Sequence, residues 1–215
     1  MGGCRVRVTF SKGGPLKYTS HLDLARAWER SLRRAGVPLA YSRGFSPRPK
    51  LQLAAALPLG HSAEAEMVDV WLEQRMGLEA LARALPPALP AGLVVRQVQE
   101  VGLRDPALQT QVVASEYRVT VEWDDAAEEL EERLGELLSA AELPDVRRGK
   151  SYDLRPLIER LWLADERSDA RGEAVLGMVL AARQGATARP EAVVEALGLQ
   201  DRFPRYCRLG LVTGD

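Results

Sequence analysis

A chain of 215 residues, 46% of them hydrophobic, suffices for one large or two small domains with a buried core. It contains no run of about 18 apolar residues, and its opening, MGGCRVRVTF, lacks the apolar segment of a secretory signal, so a cytoplasmic protein with no membrane partner is expected. Two distant cysteines, Cys4 and Cys207, argue against a disulfide framework and a zinc finger.

The net charge of −1 hides a strong polarity. Residues 1–60 carry eleven Lys and Arg (Arg5, Arg7, Lys12, Lys17, Arg26, Arg30, Arg33, Arg34, Arg43, Arg48 and Lys50) against Asp23 and Glu29, a net of +9 that leaves −10 for residues 61–215. A concentrated positive end favours a polyanion, because each phosphate neutralised releases condensed counterions. The alternative is a basic face that docks on the chain's own acidic part.

Arg5 to Phe10 alternates, with Val6, Val8 and Phe10 on one face and Arg5, Arg7 and Thr9 on the other, as in a half-buried strand. Gly13-Gly14-Pro15 breaks it. Lys12 and Lys17 bracket this loop, whose glycines would let the backbone approach a phosphate, but the spacing of a P-loop is absent. A helix starts at Thr19-Ser20, with Asp23 completing a capping-box-like signal. Leu24, Trp28 and Leu32, joined by Ala25 and Ala35, form its apolar face. Arg26, Arg30, Arg33 and Arg34 share another face, with Glu29 spaced to pair with Arg33, and Gly36 and Pro38 end the helix.

The loop Ser42 to Lys50 interleaves Arg43, Phe45, Arg48 and Lys50 with Gly44, Pro47 and Pro49. The prolines keep it extended. Phe45 either stacks a base from an exposed position or plugs the core beneath a rigid loop. Leu51–Leu57 reads as a strand, Glu66–Glu73 as another, Gly77–Leu85 as a helix and Leu93–Val101 as a strand. Strand, helix, strand, strand, helix, strand is the ferredoxin-like order.

Residues 102–115 read as a linker. Glu116–Trp123 opens a second unit with a strand, followed by an acidic helix over Asp124–Ala141 that has Leu130, Leu134, Leu137 and Leu138 on its core face. Asp145–Lys150 is a basic turn or short strand; Leu154–Leu163, partly helical near Pro156, and Glu173–Ala182 are strands. A last helix begins at Arg189-Pro190-Glu191 and ends near Gly198, before a short strand at Arg208–Val212. The expectation is an α+β chain of two ferredoxin-like (RRM-like) sandwich units with antiparallel sheets: a basic one at 1–101, the linker 102–115 and an acidic one at 116–215.

Two histidines and two distant cysteines make no recognisable metal site, and no metal or other cofactor is expected. His21, between Lys17 and Arg26, is placed to act as general acid or base on a phosphodiester, with Tyr18 or Ser20 beside it. The alternative is a histidine that caps or packs at the helix start.

Ser11-Lys12-Gly13, Tyr18 to Asp23, Arg30, Tyr41-Ser42, Gly44 to Pro49 and Ala56-Leu57-Pro58-Leu59-Gly60 resemble a radical-SAM-linked domain of unknown function. Asp153 to Ile158 and Arg189-Pro190-Glu191 also look like segments of that family. The family's members occur fused to, or encoded beside, a cobalamin-binding-type radical SAM protein. The resemblance implies a stand-alone version with a radical SAM partner; the chain lacks the cysteine triplet for radical SAM chemistry of its own. Paired ferredoxin-like domains with a basic face and a glycine loop are, more distantly, similar to CRISPR repeat-processing endoribonucleases, although the C-terminal Gly-rich loop of those enzymes is not apparent here.

The expected function is therefore an RNA-binding module that presents tRNA or rRNA to a radical SAM partner for modification. Lys12, Lys17, Arg26, Arg30, Arg33, Arg34, Arg43, Phe45, Arg48 and Lys50 would contact the RNA. The alternatives are a metal-independent RNA-processing enzyme using His21, Tyr18 and Ser20, and a protein-interaction adaptor without RNA.

Overall fold

The computed structural model describes residues 3–164 and 172–214. The chain is mixed α+β with mostly antiparallel strands, and it divides into two compact units, with the division at Val112/Val113.

The first unit runs β1 (Cys4–Lys12), α1 (His21–Arg34), β2 (Leu51–Leu53), β3 (Ser62–Leu72), α2 (Leu78–Ala84), β4 (Leu93–Val101) and the short α3 (Leu108–Gln111). Its strands lie in the order β4-β1-β3-β2, each paired antiparallel with its neighbour. Val6, Val8 and Phe10 of β1 and Val68 and Val70 of β3 face α1, which contributes Leu24, Trp28 and Leu32. The Trp28 ring meets Phe10 edge-on, with centroids 4.8 Å apart. Each such side chain stabilises the fold by about 1.5–3 kcal/mol on burial. The Ser20 hydroxyl caps α1 by accepting from the Asp23 N–H at 3.1 Å, satisfying one of the donors a helix start leaves open.

The expectation of a half-buried β1 is corrected: both of its faces are buried. On the face away from α1, Arg5 and Arg7 close on Asp69 of β3, at 2.5 Å from Arg5 Nη2 and 2.8 Å from Arg7 Nε. Residues 102–111 lie over this cluster. Arg5 donates to the carbonyl oxygens of Asp105 (2.8 Å) and Pro106 (3.1 Å), and Arg7 to Gln111 Oε1 (3.2 Å). The stretch read as a linker thus contains α3, the buried Leu108 and the start of the next strand. The strand expected over Leu51–Leu57 stops at Leu53; the chain beyond it turns back, and Gly60 N–H donates to the Lys17 carbonyl at 2.8 Å.

The second unit runs β5 (Val112–Glu122), α4 (Ala127–Ser139), β6 (Pro144–Arg147), β7 (Lys150–Asp153), β8 (Ile158–Leu163), β9 (Glu173–Arg183), β10 (Ala186–Thr187), α5 (Pro190–Ala196) and β11 (Arg205–Thr213). Its main strands lie in the order β11-β5-β9, with β8 and β10 along the other edge of β9, and β6 and β7 form a separate hairpin. Val119, Val121, Leu176, Met178 and Leu180 pack against Leu130 and Leu134 of α4 and Val193 and Val194 of α5. At Gly177 a Cβ would lie 2.1 Å from the Trp162 ring, so the indole of β8 requires glycine on β9. By sequence the first unit carries +6 (15 Lys/Arg, 9 Asp/Glu in residues 1–112) and the remainder −7 (14 against 21).

Candidate functional site

The exposed cations of the first unit come from α1 and the segment after it. Burial of Leu24, Ala27, Trp28, Ser31 and Leu32 leaves Leu22, Arg26, Arg30, Arg33 and Arg34 on the outer side of α1. The expected Glu29–Arg33 pair does not form among the described residues. Instead Arg26 reaches back to Asp23 at 3.3 Å, an exposed contact worth little. Arg30, Arg33 and Arg34 make no ion pair with any described residue.

After α1 the chain makes a hairpin. Tyr41 bridges Pro49, Ser42 N–H donates to the Arg48 carbonyl at 2.8 Å, and Arg48 N–H donates to Ser42 Oγ at 3.0 Å. These bonds hold Arg43 to Pro47 as an exposed tip. Phe45 at the tip is fully exposed, at 106%. Of the two alternatives for this ring, the core plug is therefore excluded. Arg43, Arg48 and Lys50 are exposed around it.

Lys50 also lines a groove of about 660 Å³ with His21 and Ala25 of α1, so the base of the hairpin adjoins the first half of the helix. Leu51, Gln52, Trp71, Leu103 and Gln109 continue the groove around β2. Gln52 ties this wall together: its Oε1 accepts from Leu108 N–H and its Nε2 donates to Gln109 Oε1, both at 3.1 Å. Arg5 stacks on Trp71, its guanidinium 4.8 Å from the ring centroid.

The remaining candidates take different positions. Lys12 is 1% exposed, and its ammonium donates to the Thr19 carbonyl oxygen at 3.3 Å, so it props the loop from beneath and is not a surface cation. Lys17 is half-buried, its ammonium 5.0 Å from the centroid of the Tyr18 ring. Tyr18 is exposed. The Ser20 hydroxyl is committed to its cap, donating to Asp23 Oδ2 at 2.7 Å while accepting from Asp23 N–H. His21 is the first residue of α1, half-buried at the groove. The Gly13-Gly14 loop has a structural use. Gly13 N–H donates to the Gly92 carbonyl at 2.8 Å, and at Gly92, with φ +96°, a Cβ would lie 2.4 Å from the Gly13 oxygen.

Two groups escaped the sequence reading. The Arg5–Asp69–Arg7 cluster had a signal in the pattern: Asp69 alternates with Met67 and Trp71 on one face of its strand, and β1 offers two arginines at matching alternation. The exposed Leu59 had none, because its place near Lys17 and Tyr18 depends on the turn that brings Gly60 N–H to the Lys17 carbonyl. Among the described residues no three His, Cys, Asp or Glu side chains come together to hold a metal ion, and no helix is long and apolar enough to cross a membrane.

A family profile described as an uncharacterized protein conserved in bacteria (DUF2344) matches residues 5–190. The chain belongs to that family. No curated protein matches it. Among solved structures, this DUF2344 chain is similar to a chain of the archaeal box H/ACA sRNP Nop10–Cbf5 complex, at 10% identity and a TM-score of 0.50, over 98% of its own length and 49% of the other's. It is similar in the same way to a chain of a Cbf5–Nop10–Gar1 complex, at 8% identity and a TM-score of 0.49, over 98% and 48%. The DUF2344 chain thus spans about half the length of these proteins, and at 10% identity the likeness to the first is one of fold alone.

Proposed function

We propose that this chain is an RNA-binding accessory module, built from two ferredoxin-like units, that presents tRNA or rRNA to a radical SAM partner. The observations that carry the RNA reading are the exposed set Arg30, Arg33 and Arg34 on α1, which forms no ion pair with a described residue, and a hairpin that raises Phe45 among Arg43, Arg48 and Lys50 and whose base adjoins the first half of that helix. Cations without local acids supply the phosphate contacts, and an exposed ring supplies a stacking surface that any base can use. Lys17 and Arg26 extend the set, and Lys12 supports it from below. The sheet face that an RRM uses for bases is closed here by residues 102–111, so the RNA runs over the α1 side of the unit. Fold likeness to a chain of an H/ACA sRNP agrees with this reading. The radical SAM partner rests on the family resemblance of the first 60 residues.

The test is a salt titration of RNA binding for the wild type and the double reversal Arg30→Glu/Arg33→Glu. Wild-type affinity is expected to fall by about 0.7 log unit per log unit of salt for each single-strand phosphate engaged. The reversal should lower affinity and flatten that slope while the fold persists. Equal affinities and slopes in two folded proteins would remove the RNA reading and favour a protein adaptor.

A second reading rests on His21 at the groove beside Lys50: general acid–base cleavage of RNA without a metal. We expect the purified protein alone to cleave no RNA; the Ser20 hydroxyl, one of the two groups that could assist His21, is occupied by its cap. Specific cleavage that His21→Ala abolishes, with RNA affinity retained, would reverse the order of the two readings.

A further inference from the structure

The acidic unit carries a basic projection of its own. β6 and β7 pair in the register Asp145↔Tyr152, Val146↔Ser151 and Arg147↔Lys150, which leaves Arg148-Gly149 as a two-residue turn. Both turn residues have positive φ, 52° and 75°, as a type I′ hairpin requires. Gly149 suits its place. Arg148 occupies a position where Asn, Asp or Gly adopts this backbone with less strain. Turn stability therefore does not account for an arginine there.

The side chains of Arg148 and Lys150 are exposed and make no hydrogen bond or ion pair with any described residue. Arg147 is held in place by donating to the Thr187 carbonyl at 3.2 Å. The charges of Arg147 and of the exposed Arg189 both act on the Tyr152 hydroxyl, opposing its upward shift. On the hairpin itself, Asp153 lies at the end away from the turn and accepts from the N–H groups of Leu143 and Arg155, and the carboxylate nearer the turn is Asp145. It already accepts hydrogen bonds from the Tyr152 hydroxyl and from Val146 N–H. Residues 144–153 hold three cations, Arg147, Arg148 and Lys150, against these two engaged carboxylates, a net of +1 in a unit (residues 113–214) whose sequence sums to −6. The surplus sits on a short, hydrogen-bonded hairpin.

We propose that the β6–β7 turn is a second phosphate-binding site, where Arg148 and Lys150, backed by Arg147 and Arg189, take backbone phosphates of RNA. The inference rests on the RNA reading of the first unit but uses none of its residues. A diester phosphate fits because it carries a full negative charge and oxygens that accept from guanidinium and ammonium donors.

The test is the double variant Arg148→Asn/Lys150→Gln in the full chain. Asn is favoured at this turn position, so the hairpin should be kept and the melting temperature held or raised. The probes are a fluorescently labelled single-stranded RNA and an RNA stem-loop, titrated with salt beside the wild type and the Arg30→Glu/Arg33→Glu protein. The expected result is weaker binding of at least one probe, with a salt slope lower by about 0.7 for each phosphate that the variant no longer engages. Wild-type affinity and slope in the hairpin variant, with binding abolished in the α1 variant, would overturn this site and leave the first standing. A wild type that binds neither RNA would overturn both.

Discussion

Asp69 is 0% exposed between two guanidinium groups that are themselves nine-tenths buried or more. Its carboxylate accepts from both, and without it two cations would face each other in a dry site. Removing one partner of a buried ion pair costs about 3–5 kcal/mol. We expect Asp69→Asn to lower the unfolding free energy by about that amount in a urea titration; a loss below about 1 kcal/mol would mean the cluster is hydrated in solution. Phe45 is the opposite case. Its ring touches water on all sides, so Phe45→Ala should leave the melting temperature unchanged while weakening single-strand RNA binding by about 1–3 kcal/mol. A drop in melting temperature with no change in affinity would contradict its exposed position. The two substitutions thus separate a residue that holds the unit together from one that the fold presents to a ligand.

At the scale of elements, the β6–β7 hairpin gives a pH test. The Tyr152 hydroxyl is pushed up to about 12, first by burial and then by its hydrogen bond to the Asp145 carboxylate and the charge of that group. Tyr206 on β11 is likewise raised to about 12, by burial and then by Glu191. A phenol whose folded pKa exceeds its unfolded value of 10.0 holds its proton more tightly in the folded state. The stability this contributes is complete below about pH 10 and is lost as the pH rises through about 12. The denaturation midpoint should therefore fall over that interval, and Tyr152→Phe should flatten part of the fall. Phenolate absorbance growing in near pH 10 in the folded protein for all tyrosines would contradict it. Elements with local signals were legible in the sequence. α1 follows from Ser20, Asp23 and Gly36. What was not legible depends on distant partners. The four-residue α3 is too short to show a period, and the burial of Leu108 needs Gln52, 56 positions away. β2 is cut short by the turn to Lys17, and the 41–49 hairpin closes through a serine hydroxyl in place of a strong turn dipeptide. The basic face of α1 was visible from spacing; the groove beside His21 and Ala25 required the fold of β2 and residues 103–109.

The charge of the whole molecule is divided between residues 1–112 and 113–215, +6 and −7, while the total of −1 would forbid neither RNA nor an acidic partner. Screening makes the division matter more than the total. At physiological salt a charge is felt over about 8 Å. A phosphate at α1 therefore senses mainly the arginines of that helix within reach, whatever the total charge of the chain. On α4 the same argument runs in reverse. Glu128, Glu129, Glu131, Glu132 and Glu136 crowd one short helix, and the one cation in its sequence, Arg133, is already paired with Glu129 at 2.7 Å. A phosphate approaching α4 meets uncompensated carboxylates. We therefore expect ultraviolet crosslinking of bound RNA, followed by peptide mapping, to place crosslinks in residues 17–50 and at the Arg147–Lys150 turn, and none in Ala127–Ser139. The yield should fall steeply with salt at both sites, because both act through phosphate charge. Crosslinks concentrated on α4, or a yield indifferent to salt, would show that the RNA is held by contacts other than this charge pattern.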